Sequence, residues 1–239
     1  MRGAGSVVVL TGAGVSEESG IPTFRHALTG LWAKYDPMEL ATPQAFARNP
    51  EMVSRWYDER RRNCALVKPN PGHYALARME QCLIERGADF TLLTQNVDRL
   101  HQAAGSKNIF ELHGSIWEWR CKRCGTSREE RGEAFGQYPP RCACGGIRRP
   151  GVVWFGEQLP VEAIRDSERA LGGCDLFFSV GTSAVVQPAA SFVCVAKQSG
   201  AKAAEINREP TPISEMVDWS IMEKSGEILP ELVKRAFQG

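Results

Sequence analysis

Six short apolar runs recur along the chain, and five of them break off into small or polar residues. Residues 6–10 (SVVVL) lead into Thr11-Gly12-Ala13-Gly14, and 90–93 (FTLL) into Gln95-Asn96-Val97-Asp98. Residues 108–112 (NIFEL) lead into His113-Gly114, 175–180 (DLFFSV) into Gly181-Thr182-Ser183, and 201–206 (AKAAEI) into Asn207-Arg208. A weaker sixth run is 218–222. Several are apolar throughout rather than alternating, the pattern of strands covered on both faces. Segments of helical character separate them, at 69–87, 159–174 and 189–200, and 227–237 closes the chain. Strand–helix alternation predicts an α/β fold on a parallel six-stranded sheet. Ligands of such sheets sit beyond the carboxyl ends of the strands. Gln95, Asn96 and Asp98 therefore read as ligand groups at a strand tip.

Two insertions interrupt the alternation. Residues 24–71 are rich in Trp, Pro and Arg and look helical, and 119–150 hold four of the eight cysteines. The expected division is a discontinuous sheet domain of 1–23, 72–118 and 151–239, a helical module at 24–71 and a metal module at 119–150. The formal net charge of +1 gives no reason to expect nucleic-acid binding. No apolar run approaches a membrane span, and no signal peptide is read at the N-terminus, so the expected location is cytoplasmic. Clustered cysteines in that setting read as metal ligands. Cys64, Cys82, Cys174 and Cys194 stand in apolar contexts and read as buried thiols.

"CKRCG" and "CACGG" supply Cys121, Cys124, Cys142 and Cys144, a set that fits a closed tetrahedral site for one structural zinc; a redox dithiol is the rival reading. Gly12 and Gly14 open a turn suited to a phosphate at a helix start. The third glycine of the dinucleotide fingerprint is replaced by Glu17, and an ordinary dehydrogenase half is not indicated. His113 at the polar edge reads as a general base, whereas His26, His73 and His101 read as packed histidines. In residues 50–64, Val53, Trp56, Tyr57, Arg60 and Cys64 share one helical face. Arg60 there is either a side chain snorkelling to water or a cation held beside Tyr57 for an anion.

Taken in order, "TGAGVSEESGIPTFR", "TQNVDRLH", "LHGS", the four cysteines, "PGVVWFGE", "GTSAVVQPAA", "EINREPT" and "SGEILPEL" resemble the sirtuins over nearly the whole chain. The resemblance implies a Rossmann-like domain with a smaller zinc-ribbon and helical domain. It also implies NAD-dependent removal of acyl groups from protein lysines, with nicotinamide and O-acyl-ADP-ribose as products. By position it implies Gly12, Ala13, Gly14 and Ser16 at the pyrophosphate turn, and Thr23, Phe24 and Arg25 in a cofactor loop. Gln95, Asn96, Val97 and Asp98 fall around the nicotinamide and ribose, and His113 falls at the base. Gly181, Thr182, Ser183, Asn207, Arg208, Glu209 and Ser225 fall around the adenosine half. Val153, Trp154, Phe155, Gly156 and Glu157 fall where an acylated-lysine peptide lies extended. Tyr57 and Arg60 match the Tyr-x-x-Arg pair of the desuccinylase/demalonylase branch, with Ala41 as its small pocket residue. A monomer that binds acylated proteins or peptides is expected. His26, where the family has glycine, and the close-set second cysteine pair depart from the pattern. Two rivals remain at this point: ADP-ribosyl transfer to protein, and an NAD or ADP-ribose sensor without catalysis.

Overall fold

A computed structural model describes residues 1–23, 36 and 40–237. The six apolar runs form one parallel sheet: β1 (Ser6–Thr11), β2 (Asp89–Thr94), β3 (Ile109–Glu111), β7 (Leu176–Val180), β8 (Lys202–Asn207) and β9 (Trp219–Met222), in the order β3-β2-β1-β7-β8-β9. The order reverses at β1, which pairs with β2 on one side and β7 on the other. That reversal is the switch point where a parallel sheet opens a crevice. β1, β2 and β7 are buried along nearly their whole length, which accounts for their unbroken apolar character.

Helices cover both faces. α4 (Pro71–Ile84) and α8 (Ser225–Phe237) pack Leu76, Met79, Leu83, Leu229 and Val233 onto Val7, Val9, Leu92 and Phe178. α6 (Val161–Gly172) and α7 (Phe192–Gln198) pack Leu171, Phe192 and Val193 onto Val8, Leu10 and Phe177. Short α1 (Ala13–Glu17) and α5 (Leu100–Ala104) follow β1 and β2.

A second sheet, β5-β4-β6, is antiparallel and is built from β4 (Gly114–Cys121), β5 (Ser127–Glu129) and β6 (Arg148–Val152). With α2 (Pro43–Arg48) and α3 (Pro50–Ala65) it encloses a separate core of Leu40, Phe46, Val53, Trp56, Tyr57, Ile116, Trp119 and Trp154. Thr42 and Asn49 cap α2 and α3 by accepting from Ala45 and Met52 amides, and each helix opens on proline, so the sequence marks both starts. Among the described residues no helix is long and apolar enough to cross a membrane.

Candidate active site

The floor of the crevice is a crossing of two glycine turns. The amides of Gly12 and Gly14 donate to the carbonyls of Val180 and Gly181 at 3.0 and 2.8 Å. A Cβ on Gly12 or Gly14 would lie 2.7 or 2.8 Å from the Gly181 oxygen. Gly181 itself has a φ of 59°, and a Cβ there would lie 2.6 Å from the Val15 nitrogen. The glycines are thus demanded by backbone packing, with two of the turn amides spent inside the protein rather than aimed outward.

Above this floor Ser16 forms a junction. Its Oγ accepts from Asn96 Nδ2 at 3.1 Å and makes a long 3.5 Å contact with His73 Nε2, and the hydroxyl lowers the pKa of nearby Asp98. The Asn70 amide donates to His73 Nδ1, so the His73 proton resides on Nε2. Asn96 also donates to the Gly12 carbonyl, so both its N–H hydrogens are spent and its Oδ1 remains as acceptor. Asp98 is 6 % exposed, and burial raises its pKa against the opposing Leu100 amide and Ser16 hydroxyl. A carboxylate offers about four acceptor sites, so Asp98 retains capacity for an amide N–H. Beneath it, Trp117 Nε1 donates to the Asp98 carbonyl at 2.7 Å. His73 is the packed, hydrogen-bonded histidine that its sequence context indicates, and its ring also reaches this junction. A polar residue on the buried Leu76–Met79–Leu83 face of α4 was the available signal.

His113 stands at the end of β3, with Nδ1 3.1 Å from the Gln95 carbonyl. A carbonyl only accepts, so Nδ1 carries the proton and Nε2 presents a lone pair. Burial lowers the His113 pKa, and the Gln95 bond only partly offsets this. Gln95 reaches across to β7, donating from Nε2 to Thr182 Oγ1 at 3.0 Å. Val97 accepts the Ile116 amide and leans on the second core.

On the far side of β7, Ser183 is exposed beside the buried Thr182. Asn207 Nδ2 donates to the Glu209 carbonyl, and exposed Arg208 pairs with Glu17 at 3.3 Å. The hydroxyl of Ser225 is turned to Glu18 at 2.6 Å, where it helps fix the start of α8, so it is not presented outward. Thr23 ends the described N-terminal stretch; Phe24, Arg25 and His26 lie outside the described residues.

The wall beside His113 comes from 152–157 and α3. The amides of Val153 and Phe155 donate to the carbonyls of His113 and Ala41, both at 2.9 Å. Trp154 donates its amide to Glu157 Oε2 and its Nε1 to Tyr57 Oη at 3.0 Å. Most amides of this edge are therefore occupied, and Gly156, exposed with φ 85°, is its open point. Glu157 does not present its carboxylate to the crevice: Arg149 holds it at 2.5 and 2.9 Å. Burial pushes the Tyr57 phenol up to about 12, so it remains an O–H donor. Half-buried Arg60 lies 4.8 Å over the Trp56 ring, and desolvation lowers its pKa.

In the small sheet, Cys121, Cys124, Cys142 and Cys144 converge, their sulfurs all within 4.8 Å of one another. Cys121–Cys144 and Cys124–Cys142 are 3.5 and 3.7 Å apart. Zinc–sulfur bonds of about 2.3 Å in a tetrahedron place sulfurs about 3.8 Å apart, so the four thiols fit zinc. A Cβ on Gly146 would sit 2.8 Å from Cys121 Sγ, which explains the second of the two glycines that follow the close-set pair.

The Sir2 family profile matches residues 12–188. An NAD-dependent protein deacylase of Aquifex aeolicus is 51% identical over 221 residues, 92% of this chain and 90% of its own. A crystal structure of a Sir2 homologue–NAD complex superposes with a TM-score of 0.93 at 45% identity, covering 99% of this chain and 91% of that one. A Sir2 bound to acetylated peptide superposes with a TM-score of 0.86 at 32% identity, covering 98% and 94%. The parallel sheet, the four-cysteine module and these likenesses agree, and the chain belongs to the Sir2 family.

Proposed function

We propose that this chain, an NAD-dependent protein deacylase by family, removes succinyl and malonyl groups from protein lysines in preference to acetyl. The carrying observation is the wall of α3: a Tyr57 hydroxyl that stays protonated and an Arg60 guanidinium one turn away, both in a desolvated setting. Two donors of that kind match a carboxylate at the end of an acyl chain better than a methyl group.

The crevice suits NAD, because Asp98 offers a buried carboxylate to a carboxamide and Asn96 an oriented acceptor. When bound, NAD supplies an electrophilic ribose carbon and a nicotinamide leaving group. Asp98 would hold the carboxamide, with Ser16 and His73 setting its orientation. The His113 Nε2 lone pair would take the proton of a ribose hydroxyl and so release it for attack on the acyl carbon. The acyl-lysine backbone would lie along 153–157, with Gly156 as the open point of contact, and its acyl chain would point to Tyr57, Arg60 and Ala41. Zinc on the four cysteines would brace the small sheet and take no part in the chemistry.

A panel of acyl-lysine peptides with NAD, read by product mass, tests this. Succinyl should exceed acetyl in kcat/KM by about tenfold. A preference for acetyl would overturn the acyl assignment, and product masses showing ADP-ribose on the peptide would overturn deacylation.

A further inference from the structure

We propose that Arg149 and Glu157 are positioning residues for acyl choice, holding the Trp154 indole so that Tyr57 donates its hydroxyl proton into the acyl pocket. This rests on the role given to Tyr57 above. An indole N–H can only donate, so at 3.0 Å Tyr57 must accept from Trp154. A phenol keeps its O–H near the ring plane, which allows two directions. Trp154 occupies one of them, and the Tyr57 proton turns to the other.

The indole is held from several sides. The Arg149 guanidinium lies 3.5 Å over its ring, and the Phe46 ring is 5.3 Å away. Arg149 is itself fixed by both Glu157 oxygens and by the Val152 carbonyl at 2.9 Å. Glu157 Oε2 also accepts the Trp154 amide at 2.9 Å. One ion pair thus grips the backbone and the ring of the same tryptophan, which is 2 % exposed. The charge of Arg149 is met by Glu157, so the pair orients the wall rather than serving as an anion site of its own.

The test compares succinyl- and acetyl-lysine peptides at saturating NAD for Arg149→Met, Arg149→Lys, Trp154→Phe and Tyr57→Phe. In Arg149→Met and Trp154→Phe the succinyl-to-acetyl ratio of kcat/KM should fall by about fivefold, as one hydrogen bond is misdirected. The fall should come through a higher KM for the succinyl peptide, with its kcat retained. Arg149→Lys should fall between, because an ammonium cannot both stack and bridge a carboxylate. Equal losses on both peptides would make Arg149 a plain structural staple and overturn the proposal. If Tyr57→Phe erases the preference while Trp154→Phe leaves it intact, the positioning role falls and the Tyr57 role stands. A wild-type enzyme without succinyl preference overturns both. Should Arg149→Met fail to fold, Trp154→Phe decides.

Discussion

His113 donates Nδ1–H to the Gln95 carbonyl, and that single bond decides which nitrogen can act. Nε2 must be unprotonated to work as a base. Burial lowers the His113 pKa, so the neutral form persists below the ordinary imidazole value of about 6.5. The acid limb of kcat/KM should therefore lie below about pH 6.5, with no loss between about pH 7 and 8. An acid limb centred above neutrality would refute this environment for His113. His113→Ala should cost about 10²–10⁴-fold in deacylation while NAD binding, followed by calorimetry, is largely retained. At the same scale, Arg60→Met should remove most of the succinyl advantage and spare acetyl removal. Equal loss on both acyl groups would make Arg60 structural.

The helix α3 shows what the chain revealed and what it hid. Its apolar stripe of Val53, Trp56, Tyr57 and Cys64 is buried as the helical period requires, with Arg60 interrupting it. The neighbouring Arg61 gave no such signal, yet it is the buried one, at 1 % exposure. Arg61 pairs with Asp58 at 2.6 Å and donates to the carbonyls of Glu130, Gly132 and Glu133 at 2.8–2.9 Å. Tyr138 donates to the other Asp58 oxygen. Asp58 is one turn away, but the other partners lie 69–80 residues off, and no local pattern announces a contact of that range. The six strands of the parallel sheet were legible for the opposite reason, since burial on both faces writes itself into each run. What the side chains of Glu157 and Ser225 bind depends on Arg149 and Glu18, which are fixed only in three dimensions. The clamp makes a prediction for α3 and the zinc module together. Arg61→Met leaves Asp58 buried without its principal cation and should cost about 3–5 kcal/mol of stability by chemical denaturation. Chelating the zinc should release the same clamp from the other side, so near-ultraviolet circular dichroism from Trp119 and Trp56 should change as zinc leaves. A metal-free protein with unaltered tryptophan signals would show that the cysteines do not brace this core.

Over the whole molecule, the crevice is backed by two buried histidines, and this ties folding to pH. His73 and His101 are 0 % and 1 % exposed, with ring centroids 4.7 Å apart. They join the ends of β1 and β2 to α4: Thr11 Oγ1 contacts His101 Nε2 at 3.0 Å and Thr94 Oγ1 at 2.9 Å. Desolvation lowers His73 from 6.5 to about 4, and His101 falls well below 6.5 through desolvation and the neighbouring His73. Both are neutral in the native protein near pH 7. Below about pH 6.5 the unfolded chain binds protons that the native protein refuses, so stability declines as pH falls. The His73 contribution is fully present above its unfolded pKa and is lost as pH falls toward about 4, roughly 3 kcal/mol in all. Asp98 opposes this, since its raised pKa means that protonation in acid relieves a native-state cost. Three imidazoles, His113 included, stand against one carboxylate, and the net slope is toward loss. Denaturant midpoints should therefore drop between about pH 6.5 and 4.5, and His73→Gln should flatten the slope even if it lowers stability near neutrality. A midpoint constant over that range in the parent protein would mean that the buried pair takes up protons without unfolding.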